Sequence, residues 1–274
     1  MPAARNLRAA APFLQVMAGS FPLLILLGNL GSPGFLGPRG SALPFEDVEQ
    51  VEAFLREAEV VERTELRGSL NLPEKLLLRR DGVEARAVFR TVDKKKASAR
   101  VGKETIRDFH DGYVYECAAY ELSRLLGIEN VPPCVLRTID GIPGSLQLWI
   151  EQAVTEFQYR QDSGSLTLAE RVPQAFQTML LFDALIDNFD RHSGNILVDS
   201  RERLWLVDHT RSFRLYTGAK DLDRVVSPDP TLLERLVALD RETLSRRLGP
   251  FLSSRHIDAL MRRRGQILRR FARE

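Results

Sequence analysis

The stretch that decides the reading of this chain runs from Leu185 to Phe213, L-I-D-N-F-D-R-H-S-G-N-I-L-V-D-S-R-E-R-L-W-L-V-D-H-T-R-S-F. Upstream of it, Met179 to Ile186 is apolar at helical spacing and predicts a buried helix. That helix delivers the chain into a polar turn, Asp187 to Gly194. Ile196 to Val198 and Leu204 to Val207 then read as two short strands of a hairpin. Asn195 falls at the mouth of the first strand and Asp208 at the exit of the second. Neighbouring strand ends bring the two side chains together, with Asp190 five positions before Asn195.

Hard oxygen donors in this pattern suit Mg²⁺ or Mn²⁺ and not zinc. Asn195 and Asp208 are the expected metal ligands, Asp208 bridging the ion to nucleotide phosphates. Asp190 would position a hydroxyl nucleophile, and Arg191 and His192 lie between it and the ligands. The bland alternative is a polar loop of caps and Asx-turns. Asp208, placed after an apolar strand, weighs against it.

Working outward, the 274 residues suit one large domain or two lobes of one enzyme. Lys and Arg number 39 against 37 Asp and Glu, a net charge of +2 that excludes a global nucleic-acid polycation. Cys117 and Cys134 lack metal-ligand spacing and are read as buried thiols. No internal repeat is visible.

The N-terminus differs from the rest. Arg5 and Arg8 precede an acid-free apolar stretch, Ala9 to Leu36, densest at Phe21 to Leu27 and followed by small residues and prolines. That is a signal-like pattern, interrupted by Pro22 and short for a membrane span. It implies export, an uncleaved anchor with membrane or envelope association, or else a disordered or packed extension of a cytoplasmic chain. Residues 1–44 are set apart on this basis.

Folded structure is expected from near Phe45, with a helix in Glu46 to Glu59. Lys75 to Arg79 and Ala85 to Phe89 flank Asp81-Gly82, a hairpin signal. The turn containing Gly68 and Ser69 could aim backbone N–H groups at phosphates, although an ordinary turn has the same signature. Asp93 to Asp108, with Lys94, Lys95 and Lys96, reads as a charged surface loop. Tyr115 to Leu126 is a helix closed by Gly127, with Glu116 directed inward and in need of a cationic partner. Val135 to Thr138 and Ser145 to Ile150 form another hairpin around Asp140-Gly141, and Glu151 to Glu156 connects to a helical half. Three amphipathic segments follow Pro228, the last a basic helix, Ile257 to Arg273.

A β-rich part (45–150) with one Glu-bearing helix, joined to a larger helical part (151–274), has a bilobal layout of the α+β class. The run D-R-H-S-G-N at Asp190 to Asn195, with L-V-D-H at Leu206 to His209, resembles signatures of the phosphatidylinositol 3-/4-kinase-like group. The run Y-E-C-A-A-Y-E-L-S-R-L-L-G-I-E-N-V-P-P at Tyr115 to Pro133 is similar to a helix of the secretory-pathway kinases. Those enzymes phosphorylate secreted proteins and proteoglycan xylose, and have bacterial relatives. The likeness covers Leu66 to Phe213.

This resemblance implies a kinase-like fold with ATP and Mg²⁺ or Mn²⁺ as cofactors. Its acceptor would be a hydroxyl of a protein, sugar or lipid. It assigns Asp190 to orienting or deprotonating that hydroxyl, with His192 beside it, and Asn195 and Asp208 to the metal. Glu116 would be the inward helix residue. Gln147, Trp149 and Glu151 fall in the hinge that holds adenine. The departure is Arg90, which stands in Ala87-Val88-Phe89-Arg90 where the relatives have the phosphate-gripping Lys. Arg90 could pair bidentately with Glu116, or Lys94 to Lys96 could reach in. Arg90 also leaves open a pseudokinase, and the fold allows transfer of AMP instead of phosphate.

Overall fold

The computed structural model describes residues 34–66, 72–101, 104–162 and 167–271. The signal-like segment before Gly34, and the turn with Gly68 and Ser69, lie outside the described residues. Packing begins earlier than the expected Phe45. Phe35 and Leu43 are buried, and the Phe35 ring lies 5.7 Å from that of Trp205.

Helix α1, Val48–Glu57, starts at Asp47, whose carboxylate accepts the Gln50 N–H at 2.8 Å. Its buried Val51, Phe54 and Leu55 cover one face of an antiparallel sheet. The sheet consists of β1 (Glu59–Glu65), β2 (Glu74–Arg80), β3 (Val83–Arg90), β6 (Cys134–Ile139) and β7 (Ile142–Leu148), in the order β1-β2-β3-β7-β6. Asp81-Gly82 and Asp140-Gly141 turn with positive φ at both positions, 49° and 77°, then 52° and 79°. Asp-Gly tolerates that backbone and matches the strand twist, so both hairpins were legible in the sequence.

The pairing register sorts the faces. Lys75, Val88, Gln147 and Cys134 stand opposite one another in one row, and Arg90 and Ser145 in the next row on that side. The other side carries Leu76, Leu78, Ala85, Ala87, Phe89, Leu146 and Leu148, buried with α1.

The charged segment after β3 is not a loop. It forms a two-stranded ribbon, β4 (Asp93–Val101) with β5 (Glu104–Gly112). Its described residues are mostly exposed on both faces, with Ile106 and Phe109 buried. A strand with no apolar side has no period-2 pattern to read.

Helix α2, Val114–Leu126, packs on the row that ends at Cys134 and closes on Gly127 in the left-handed region (φ 62°). Cys117 and Cys134 are not free thiols as expected. They form a disulfide between α2 and β6, with Cα atoms 4.9 Å apart.

Residues 151–156, expected to be a plain connection, contain β8 (Ala153–Thr155). It pairs with β9 (Ile196–Asp199), which pairs with β10 (Leu204–Leu206). Helices α3 (Glu156–Asp162), α4 (Leu168–Arg171), α5 (Pro173–Ile186), α6 (Pro230–Ala238), α7 (Arg241–Leu248) and α8 (Ser254–Phe271) form the helical part with a short 3₁₀ turn at Leu222–Arg224. Among the described residues no helix is long and apolar enough to cross a membrane.

The basic face expected on the last helix needs a correction. Arg263 is fully buried. It donates to the carbonyls of Leu185 (2.7 Å), Arg214 (3.0 Å) and Tyr216, stapling α8 to the chain on either side of the polar loop. Burial lowers its pKa to about 10. Arg263→Met would strand those carbonyls in the core. A cost on the order of 3 kcal/mol is expected. Calorimetry should then show a melting point lower by roughly 6–12 °C, and a shift below about 2 °C would remove Arg263 as a staple.

Candidate active site

Pro at the start of α5 presets its first turn, and Met179 to Ile186 are buried as their spacing predicts. The helix ends at Asp187, whose φ of 52° turns the chain out, and Arg214 holds the Asp187 carboxylate at 2.7 Å. The loop that follows ties itself together. Asn188 Oδ1 accepts the Asp190 N–H (3.1 Å), and Asn195 Nδ2 donates to the Asp190 carbonyl (3.0 Å). With its nitrogen committed inward, the Asn195 amide keeps Oδ1 for another partner.

Arg191 is the clamp of this loop. Its Nη1 donates to the carbonyls of Asn195 (2.6 Å) and Val207 (2.8 Å), drawing both strand ends together. Its other donors grip Asp183 at 2.9 and 3.1 Å. Asn195 and Asp208 therefore flank one mouth, as the hairpin pattern predicts. Asp208 adopts φ 59°, a left-handed backbone uncommon outside Gly, Asn and Asp. Thr210 Oγ1 donates to its carboxylate at 3.1 Å.

Glu116, fully buried on α2, reaches this mouth from the other side. It accepts the backbone N–H groups of Asp208 (3.1 Å) and His209 (2.9 Å). His209 Nε2 takes a hydrogen bond from Arg191 Nη2 at 2.9 Å, so it is the bare ring nitrogen. The ring proton then sits on Nδ1, facing Glu116 at 3.3 Å. Burial alone would raise the Glu116 carboxyl. The Arg90 charge and the His209 contacts outweigh it and hold the group well below the usual carboxylate range.

The expected Arg90–Glu116 fork does not form. Among the described residues Glu116 makes its side-chain hydrogen bond with His209 and no ion pair with Arg90, and Arg90 Nη1 is buried without a hydrogen bond. His209→Leu would leave Glu116 and Arg191 each short of a partner inside the fold. A loss on the order of 2 kcal/mol is expected in denaturant unfolding. A midpoint identical to the unmodified chain would show that the relay contributes nothing.

Asp190 is half-buried. Arg211 Nη1 donates to its Oδ2 at 3.0 Å, and Arg211 Nε donates to Asp111 at 2.9 Å. Burial raises the Asp190 carboxyl. Arg211 opposes this, while the like charge of Asp208 adds to it, so the two aspartates are electrostatic neighbours. His192 is exposed and turned back on its own loop, where Nδ1 accepts the Gly194 N–H at 3.0 Å.

The hinge candidates have other partners. Gln147 Nε2 lies 3.5 Å from the Pro132 carbonyl. Lys75 Nζ sits 4.4 Å from the centre of the Trp149 ring, and Arg86 pairs with Glu151 at 3.1 Å. Burial raises the Glu151 carboxyl against the pull of Arg86 and Lys75. Sequence reasoning missed Lys75, Arg211 and Asp111. Lys75 alternates with buried Leu76, so it was readable as a residue of the opposite face. The Arg211–Asp111 contact spans 100 positions and has no local signature.

A metal fits this donor set. Asn195 Oδ1 has no hydrogen bond and Asp208 no ion pair among the described residues, and both are hard oxygen donors. No three His, Cys, Asp or Glu side chains converge as a metal cage among the described residues, so an ion here would take its other ligands from a nucleotide or water.

A sheet carrying one Glu-bearing helix, joined to a helical part with Asp190, Asn195 and Asp208 at its mouth, is a kinase-like fold. Solved structures similar to it are those of the Golgi casein kinase and of Fam20. The Golgi casein kinase is 17% identical, covering 81% of this chain and 73% of that one, with a TM-score of 0.58. Its form with Mn/ADP bound is 16% identical over 81% and 74%, at 0.59. Hydra Fam20 with sugar is 18% identical over 81% and 87%, at 0.61. At identities this low the likeness establishes the fold alone.

Among curated proteins, Protein Rv2133c of Mycobacterium tuberculosis is 27% identical over 140 residues, 39% of this chain. The chain spans about half the length of that relative (50%). No protein-family model matches.

Proposed function

We propose that the chain is an ATP-dependent phosphotransferase acting on a hydroxyl of a protein, sugar or lipid. The observation that carries this reading is the convergence of Asp190, Asn195 and Asp208, with Asn195 Oδ1 and the Asp208 carboxylate left available as hard donors. Asn195 and Asp208 would hold Mg²⁺ or Mn²⁺. The chemistry such an ion would supply when bound is positive charge to offset that of the phosphates. A neighbour of the same fold has Mn/ADP bound, which supports the same cofactor pair here.

The chain's own residues divide the remaining work. Glu116 fixes the backbone beneath Asp208. Arg90, with a buried Nη1 lacking a partner, supplies a charge for the phosphates from the sheet side, and Lys75 lies on the same side. Asp190 orients the acceptor hydroxyl and takes its proton. The acceptor oxygen bonds to the γ-phosphorus, the bond from that phosphorus to the bridging oxygen breaks, and ADP leaves with the electron pair.

One other reading has an observation behind it, and a second is open on the fold. Arg90 in place of Lys, without an ion pair to Glu116 among the described residues, favours a nucleotide-binding pseudokinase. The fold alone allows AMP transfer. Intact-mass analysis after incubation with ATP and Mn²⁺ separates the three. A phosphate adduct or released ADP supports the phosphotransferase, an AMP adduct replaces it, and binding without any product leaves the pseudokinase. We also propose that the N-terminal segment directs export or anchoring. An intact Met1 in a soluble cytosolic fraction would sink that idea.

A further inference from the structure

We propose that Arg211 is a positioning residue for the carboxylate that orients the acceptor, a cation that fixes Asp190 and couples it to the β4–β5 ribbon. This rests on the phosphotransferase reading. Arg211 belongs to neither expected motif, and its side chain is only 17% exposed.

Its guanidinium is held by two carboxylates from separate elements. Nε meets Asp111 Oδ2 at 2.9 Å near the end of β5, and Nη1 meets Asp190 Oδ2 at 3.0 Å in the loop after α5. Asp111 is almost fully buried. Arg211 Cζ lies 5.7 Å from the Phe109 ring centre, and Phe109 packs edge-on against Phe189 at 6.3 Å. The backbone is locked as well, because Gly112 N–H donates to the Thr210 carbonyl at 2.8 Å.

Two of the three guanidinium nitrogens are therefore held, and among the described residues the hydrogen bond of Arg211 to the proposed machinery is the one to Asp190 Oδ2. That leaves Asp190 Oδ1 for the acceptor. It also answers an electrostatic need. Asp190 and Asp208 repel each other at the mouth, and the charge of Arg211 offsets both. A Lys cannot do the same, since one ammonium lacks the planar fork that spans two carboxylates.

The test uses the full chain, Arg211→Ala and Arg211→Lys, with Mn-ADP affinity by calorimetry and phosphate release from Mn-ATP with water as acceptor. Arg211→Ala is expected to lose about 100-fold in turnover while Mn-ADP affinity stays within about twofold. Guanidinium at millimolar concentration should recover about tenfold of that loss in Arg211→Ala and nothing in the unmodified chain, because it refills the vacated cation site. Arg211→Lys should fall between the two. In an Asp190→Asn background, Arg211→Ala should add little, because both act as one unit.

Loss of Mn-ADP affinity in step with turnover would make Arg211 a phosphate ligand and overturn the proposal. Additive losses with Asp190→Asn would do so too. If the unmodified chain binds Mn-ADP and releases no phosphate, the phosphotransferase reading fails by itself. Hydrogen exchange in residues 187–195 then decides the role of Arg211. Exchange that rises in Arg211→Ala and returns with guanidinium keeps it as the holder of Asp190, and unchanged exchange removes it.

Discussion

Asp208→Ala is expected to abolish metal-dependent nucleotide turnover, by at least about 10³-fold. Its carboxylate takes one hydrogen bond, from Thr210, and no ion pair among the described residues. Among the described residues the neighbouring carboxylate, Asp190, is paired with Arg211. Glu116 is already committed to the amides of Asp208 and His209. The backbone at Asp208 needs a control, because its φ of 59° suits Asp or Asn better than Ala. Asp208→Asn keeps that backbone and removes only the charge. It should lose turnover nearly as fully, with a melting point unchanged. Turnover retained within about threefold in either variant would take Asp208 out of the site.

Asp190→Asn should behave differently. Asn keeps the shape, so Arg211 keeps a neighbour, but the residue loses its basicity and Arg211 loses one of its two paired carboxylates. Transfer should fall by roughly 10²–10⁴ with Mn-ADP affinity nearly intact, because an orienting base acts on the chemical step. Calorimetry and product release on the same sample separate the two quantities. A collapse of Mn-ADP binding would make Asp190 a metal ligand or a structural residue instead.

The parts of the fold written in local chemistry were legible. Asp-Gly pairs named two hairpins, Gly127 named the end of α2, and apolar spacing named α5. The mouth formed by Asn195 and Asp208 followed from a hairpin only a few residues long. Pairings across long separations were not legible. Glu116 was read correctly as inward, yet the residue it hydrogen-bonds is His209, 93 positions away, while Arg90 acts on it only through its charge. The ribbon of β4 and β5 was hidden because water covers most of both faces. Arg263 was hidden in a run of arginines, although it falls between Leu260 and Ile267 on the buried stripe of α8. Three consecutive arginines on a helix point in three directions, and only one of these faces the core.

The Cys117–Cys134 bond has a consequence for how the chain is made. It closes a separation of 17 residues, which on chain-entropy grounds removes about 3 kcal/mol of freedom from the unfolded state. Cys117 directly follows Glu116, so the same crosslink tethers the helix that supports the Asp208 backbone. Oxidant supply during biosynthesis is therefore expected to raise both the yield of folded chain and the order of its mouth. A host cell with a reducing interior would deliver material that lacks this tether, and an oxidising one would deliver material that has it.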